Sequence, residues 1–320
     1  MRALAVKERA HEHRRLAHSG AVIDEKESLK VLDCSTCGFV HIDPIPHDRD
    51  MEKMYMEEYF CEEKQASFEY AREDLEWWNI AFDERLGFME SRLGPGQRRI
   101  LDIGCGPGFF LERAAGRGWQ CLGVEPSRTA AKYARGLGLE VKKGFFDGPA
   151  FKEEGHAFEA VHISEVLEHV ADPLSVLRES HDILEDNGII CAVVTNDYNP
   201  VQKVLRDSLG YSQYWISVPQ RKNYFSIDSI KALMRKAGFT IANVSASFPM
   251  DFFLLMGENY VGDEKLVRSC HRKRKNLDTM LSTPLLKGFK EEMSTLLARH
   301  NMGGEVVVYG IKGESWPEPL

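Results

Sequence analysis

Glu165, Glu168 and His169, in the stretch "ISEVLEHVADP", combine two carboxylates and an imidazole within five residues. On a helical turn, positions i, i+3 and i+4 share one face, so the spacing predicts that the three side chains converge. Such a set suits a divalent cation such as Mg2+ with open positions, which would acidify and orient an acceptor hydroxyl. Without a metal, His169 is the candidate general base, because imidazole titrates near neutral pH. The stretch "RILDIGCGPGFF" carries a second pattern, an acid at Asp102 followed by Gly104, Gly106 and Gly108. A dinucleotide loop requires its third glycine at position 109, which is Phe109, and no Gly-Lys-Ser/Thr run makes a phosphate loop. Glu125 ends the next apolar run, where an acid suits the two hydroxyls of a ribose. The ligand implied is a ribose-containing molecule without a pyrophosphate, with a cationic group near Asp102. A third set, Cys34 and Cys37, is a single C-x-x-C, two short of the four ligands of a structural zinc. His11, His13, His18, His41 and Cys61 are the residues that could complete it.

These residues need a scaffold, and the sequence describes one. "RILDIG", "CLGVEPS", "LEVKKG", "EAVHIS", "IICAVVT", "TIANVSA" and "EVVVYGIK" read as strands, and amphipathic helical segments alternate with them through the middle of the chain. This predicts an α/β fold, a mainly parallel sheet with helices on both faces. The glycine loop and the acid–histidine motif both fall at carboxyl ends of strands, where open α/β sheets bind ligands. The organisation expected is an N-terminal cap over 1–66, a core over 67–250, a helical insertion over 251–300 on the acceptor side, and the last core strand and tail over 301–320. The segments 198–224 and 251–300 are long for connections in a compact domain and read as functional insertions.

The glycine loop, Glu125 and the strand order together resemble the class I S-adenosylmethionine (SAM)-dependent methyltransferases, over about residues 98–250 and the last strand. The resemblance implies a Rossmann-like sheet of seven strands with the last antiparallel. It implies SAM as cofactor, with Gly104, Gly106 and Gly108 under the methionine part, Asp102 near its amino group and Glu125 on the ribose. It also implies Asp147, in "GFFDG", at the adenine and Tyr59, in the "Y…YF" segment, at the pocket. "EVLEH" is similar to the motif of ubiquinone-biosynthesis O-methyltransferases and of a small-RNA 2′-O-methyltransferase family, in both of which it is associated with a divalent ion. "LDCSTCGFVHIDPIP" resembles the N-terminal element of a subgroup that often modifies sugars, where an earlier cysteine pair completes a zinc ribbon. No earlier cysteine exists in this chain.

The function expected is methyl transfer from SAM to a small-molecule acceptor such as a sugar or nucleotide-sugar. The alternatives are a metal-assisted O-methyltransferase of a catechol-like or RNA acceptor and a SAM-binding protein without turnover. A net charge of −8 disfavours a nucleic-acid partner. No apolar run approaches a membrane span, and seven scattered cysteines fit reduced thiols in a cytoplasm. The basic run 271–275 reads as a solvated helix face, with contact to a carrier's phosphates as the alternative. Nothing in the sequence fixes an oligomeric state.

Overall fold

The strands predicted for the middle of the chain do form, and they form one sheet. The computed structural model describes residues 18–46, 72–96 and 98–313. Seven strands, β4 (Arg99–Ile103), β5 (Gln120–Glu125), β6 (Val141–Lys143), β7 (Phe158–Ser164), β8 (Leu184–Thr195), β10 (Phe239–Ala246) and β11 (Glu305–Lys312), lie in the order β10-β11-β8-β7-β4-β5-β6. The pairs among β4 to β8 are parallel, while β11 runs antiparallel to both β8 and β10. The sheet is buried on both faces, which is why its strands read as continuous apolar runs and not as alternating ones. One face packs against α1 (Leu75–Leu93), α2 (Phe109–Gly116) and α3 (Arg128–Gly136), through Leu86, Met89, Phe110, Leu111 and Ala134. The other packs against α4 (Gly148–Glu153), α5 (Pro173–Ile183), α7 (Ile227–Lys236) and α10 (Lys287–Arg299), through Phe151, Leu177, Ile230 and Leu297.

Local chemistry sets the helix starts. Ser127, Asp147, Asp172, Asn199 and Ser226 each cap a helix by accepting an N–H bond from the first turn. Helix α5 stops at Ile183, because Leu184 already belongs to β8, whose first residues include Asn187–Gly188. The 251–300 segment is helical, as α8 (Asp251–Leu255), α9 (Glu264–Leu281) and α10.

The N-terminal region holds an element the sequence did not announce, a four-stranded antiparallel sheet. Strands β1 (Gly20–Lys26), β2 (Leu29–Cys34) and β3 (Phe39–Asp43) are joined by β9 (Asn223–Tyr224), in the order β1-β2-β3-β9. Val40 pairs with Tyr224 and His41 with Asn223. The small sheet buries Val31 and Ile42 against Trp215, Ile216, Val218 and Tyr224 of the 198–224 segment, which also carries α6 (Pro200–Leu209). The cap is thereby hydrogen-bonded to the segment that enters the core. No helix among the described residues is long and apolar enough to cross a membrane.

Candidate cofactor and catalytic site

The loop after β4 crosses the carboxyl end of the sheet between its neighbours' loops. Gly104 takes φ +73, and a Cβ there would stand 2.4 Å from Val166 Cγ2, so the glycine lets this loop touch the loop after β7. Gly106, at φ +53, faces open space. Its N–H donates to Glu125 Oε2 at 2.9 Å, while Ser127 N–H donates to Oε1 at 2.7 Å. The Glu125 carboxylate is buried and aimed before any ligand arrives, and each oxygen retains a second lone pair for a hydroxyl. Burial raises its pKa, and the bonds from Ser127 and Gly106 oppose the rise. Gly108 does different work. It is the left-handed residue before α2, and a Cβ there would meet Leu139 and Ala134 at 2.6 and 2.9 Å. It closes the packing of α3 on the loop.

Asp102 is engaged inside the protein. Its Oδ1 lies 2.7 Å from His162 Nδ1, and Arg85 Nη1 lies 3.4 Å from His162 Nε2. Burial depresses the His162 pKa, so the ring is neutral, with Nδ1–H donating to Asp102 and Nε2 accepting from Arg85. Asp147 caps α4 by accepting from Ala150 N–H at 3.1 Å. Tyr59, Cys61, His11 and His13 lie outside the described residues.

The acid–histidine motif departs from the expected helical face. Residues 167–169 form a turn, and Glu165 takes φ +54, which no helix accommodates. Glu165 is exposed. Glu168 is buried under the end of β8, where Oε1 accepts from Thr195 N–H at 2.8 Å and Oε2 has no hydrogen-bond partner among the described residues. Burial pushes the Glu168 carboxyl up to about 7, against the pull of the Arg221 guanidinium. His169 Nδ1 lies 2.7 Å from Gln220 O, which assigns the proton to Nδ1 and the lone pair to Nε2. Burial, with Arg221 and Lys222 nearby, lowers its pKa and keeps the ring neutral near pH 7. Glu165, Glu168 and His169 do not gather into a metal-ligand cluster. Among the described residues one such cluster exists, and it is His18, Cys34, Cys37 and His41.

Arg221 and Asn223 hold the end of β8 and the loop after β7 together. Arg221 forms an ion pair with Asp197, bonds Thr195 Oγ1 and lies over the Tyr224 ring. Asn223 Nδ2 donates to Leu167 O and Val170 O at 2.9 and 2.8 Å, while the backbone N–H groups of Lys222 and Asn223 both donate to Glu168 O. The signal available was position. "VTNDYN" puts polar residues directly after an apolar strand, at the ligand end of the sheet. Four residues of the basic run are engaged: Lys275 and His271 meet Asp74, Lys273 meets Glu258, and Arg274 lies over Trp77, while Arg272 is exposed.

The residues fit SAM on this geometry: an open-sided glycine loop, and beside it a buried carboxylate fixed by the loop's own N–H. A family model described as a methyltransferase domain matches residues 55–244. The ubiquinone biosynthesis O-methyltransferase of Ruegeria pomeroyi is 37% identical over 121 residues, 36% of this chain and 48% of that protein. The enzyme of the same name from Dinoroseobacter shibae is 36% identical over 146 residues, 44% of this chain and 59% of that protein. The chain thus spans about half the length of the curated relatives it matches. A SAM-dependent methyltransferase of Archaeoglobus fulgidus superposes with a TM-score of 0.47 at 19% identity, covering 76% of this chain and 99% of that one. The family match spans more than half of the sequence, and the chain belongs to the methyltransferase-domain family, the class I SAM-dependent methyltransferases.

Proposed function

We propose that the protein is a SAM-dependent O-methyltransferase acting on a small molecule with an acidic hydroxyl, with His169 as its general base. The observation that carries this reading is the tautomer of His169, held by Gln220 O with its basic nitrogen at Nε2, on the loop that touches Gly104. Gly104, Gly106 and Glu125 would hold SAM. Bound SAM supplies a methyl group on a sulfonium, already a strong electrophile, so the protein's own work is alignment, deprotonation and exclusion of water.

Glu125 would accept hydrogen bonds from the ribose hydroxyls and so orient the cofactor. His169 Nε2 takes the proton of the acceptor hydroxyl as its oxygen attacks, and Gln220 O stabilises the imidazolium through Nδ1–H. Asn223 and Arg221 hold the loop and the strand end on either side of Glu168. A phenolic or catechol-like acceptor agrees with the matched relatives, which are named as ubiquinone-biosynthesis O-methyltransferases. A nucleotide-sugar has less support, because the basic run that would meet its phosphates is occupied by Asp74, Glu258 and Trp77.

The test uses SAM labelled in its methyl group, offered with pooled catechols, sugars, nucleotide-sugars and short RNAs. Label is expected in the catechol pool. His169→Ala should lower turnover about 10²–10⁴-fold and spare SAM affinity. Unchanged turnover in His169→Ala would remove His169 as the base. Label in another pool would remove the phenolic acceptor.

A further inference from the structure

The small N-terminal sheet carries a site that the methyl-transfer reading does not use. Cys34 ends β2, Cys37 sits in the turn that follows, His41 lies in β3, and His18 lies just before β1. One ligand atom from each can be chosen so that all four lie within 4.8 Å of one another. His18 Nδ1 is 3.7 Å from Cys34 Sγ and 3.4 Å from Cys37 Sγ. Tetrahedral zinc, with its usual bonds to sulfur and nitrogen, sets neighbouring ligands about 3.3–3.8 Å apart. The turn is also shaped to present both thiols. Cys37 N–H points to Cys34 Sγ at 3.4 Å, Gly38 N–H donates to Cys34 O at 2.8 Å, and Gly38 at φ +81 reverses the chain into β3. His41 Nδ1 lies 2.9 Å from Ile42 O, the outer hydrogen bond that fixes a zinc-bound histidine in the tautomer with its lone pair on Nε2.

We infer that His18, Cys34, Cys37 and His41 form a structural Cys2His2 zinc site that clamps the cap sheet to the catalytic loop. The donor set is that of structural zinc: two thiolates, two imidazoles and no open position. Binding releases the two thiol protons to solvent and changes no oxidation state. The clamp follows from register. His41 pairs with Asn223, Ile42 N–H donates to Lys222 O at 2.9 Å, and the N–H groups of Lys222 and Asn223 donate to Glu168 O. Backbone hydrogen bonds through Lys222 and Asn223 therefore join a proposed ligand to the loop that carries His169. The second ligand pair comes from histidines, one ahead of β1 and one inside β3, and so the single C-x-x-C needs no earlier cysteines.

The experiment is elemental analysis of the full chain, purified without added metal or a histidine tag, joined to cobalt substitution. The expected result is about one zinc per chain, and a cobalt form with the absorption of a tetrahedral site bearing thiolates. Cys34→Ser and His41→Ala should each lose the metal, while Cys121→Ser keeps it. Should the ligand variants fail to fold, the wild-type protein still decides. Chelation should expose two more reactive thiols per chain and speed hydrogen exchange at Ile42, Lys222 and Asn223 ahead of strand β8. A chain that contains no zinc and takes up neither zinc nor cobalt overturns the site. Zinc retained after loss of both cysteines overturns these ligands. Exchange at Lys222 and Asn223 that ignores chelation overturns the clamp.

Discussion

His162 Nδ1 lies 2.7 Å from Asp102 Oδ1, both side chains are buried, and the His162 ring stacks on Phe110 at 3.7 Å. The acid of the glycine motif is thus tied to the neighbouring strand β7, and Arg85 of α1 closes the set from above. Replacing His162 by Leu keeps most of the volume and removes the donor. The expected loss is about 2–3 kcal/mol, that of a buried hydrogen bond to a carboxylate. The substitution should also reduce acid sensitivity. The native His162 pKa is depressed by burial, so as pH falls through about 6.5 the unfolded chain takes up its proton first and stability drops. Urea midpoints of both proteins at pH 8 and pH 5.5 check this, and equal midpoints at pH 8 would show that the pair contributes nothing.

Glu168 has the opposite sign. Its folded pKa is raised to about 7, so between about 4.5 and 7 the native protein binds more protons than the unfolded chain. That contribution is complete at low pH and is lost as pH rises through 7. Glu168→Gln removes the titration but retains an oxygen for Thr195 N–H. Relative to wild type, the variant should gain about 2.5 kcal/mol on going from pH 5 to pH 8, most of what the shift is worth. A stability difference that does not change with pH would mean that Glu168 is ionised throughout.

The sheet was legible because its strands are long apolar runs ended by glycine, acid or serine, a pattern that local chemistry imposes. Gly106 and Glu125 were legible for the same reason: one loop and one strand end suffice to bring them together. Glu165, Glu168 and His169 follow β7, as the order of strands implies, but the left-handed backbone at Glu165 replaces the helical turn that their spacing suggested, and that turn has no signature in residue type. Arg85 reaches His162 from 77 positions away, and β9 pairs with β3 across most of the chain. Pairings of that kind follow from the assembled sheet order and leave no period in the sequence. His41 is one of five candidate partners for the C-x-x-C by residue type, and the β2–β3 hairpin is what puts it beside Cys34.

Glu125 holds the glycine loop through Gly106 N–H and is the proposed partner of the cofactor's ribose, so its removal should separate binding from folding. In Glu125→Ala the Gly106 and Ser127 N–H groups lose their acceptor, and on the proposed reading the ribose would lose its charged partner. SAM affinity should fall about 10- to 100-fold, the worth of charge-assisted hydrogen bonds. Glu125→Gln, which still accepts but carries no charge, should fall between the two. Calorimetric titration with SAM reads this directly, and an Ala variant that binds as tightly as wild type would place the ribose elsewhere.

Asn223 offers a test of how the loop is held. Its amide donates to Leu167 O and Val170 O, its backbone N–H to Glu168 O, and its side chain is buried. Asn223→Ala leaves two buried carbonyls without donors and should cost about 2–3 kcal/mol. Asn223→Asp should be worse, because it turns an acceptor carboxylate toward two carbonyl oxygens at the distances now occupied by N–H bonds. Since neither residue change touches Glu125 or Gly106, SAM affinity should remain near wild type while turnover falls with the displacement of His169. The order wild type, Ala, Asp in both denaturation midpoint and turnover is the expected outcome. An Asp variant as stable and active as Ala would show that the two carbonyls find other donors and that Asn223 does not position the loop.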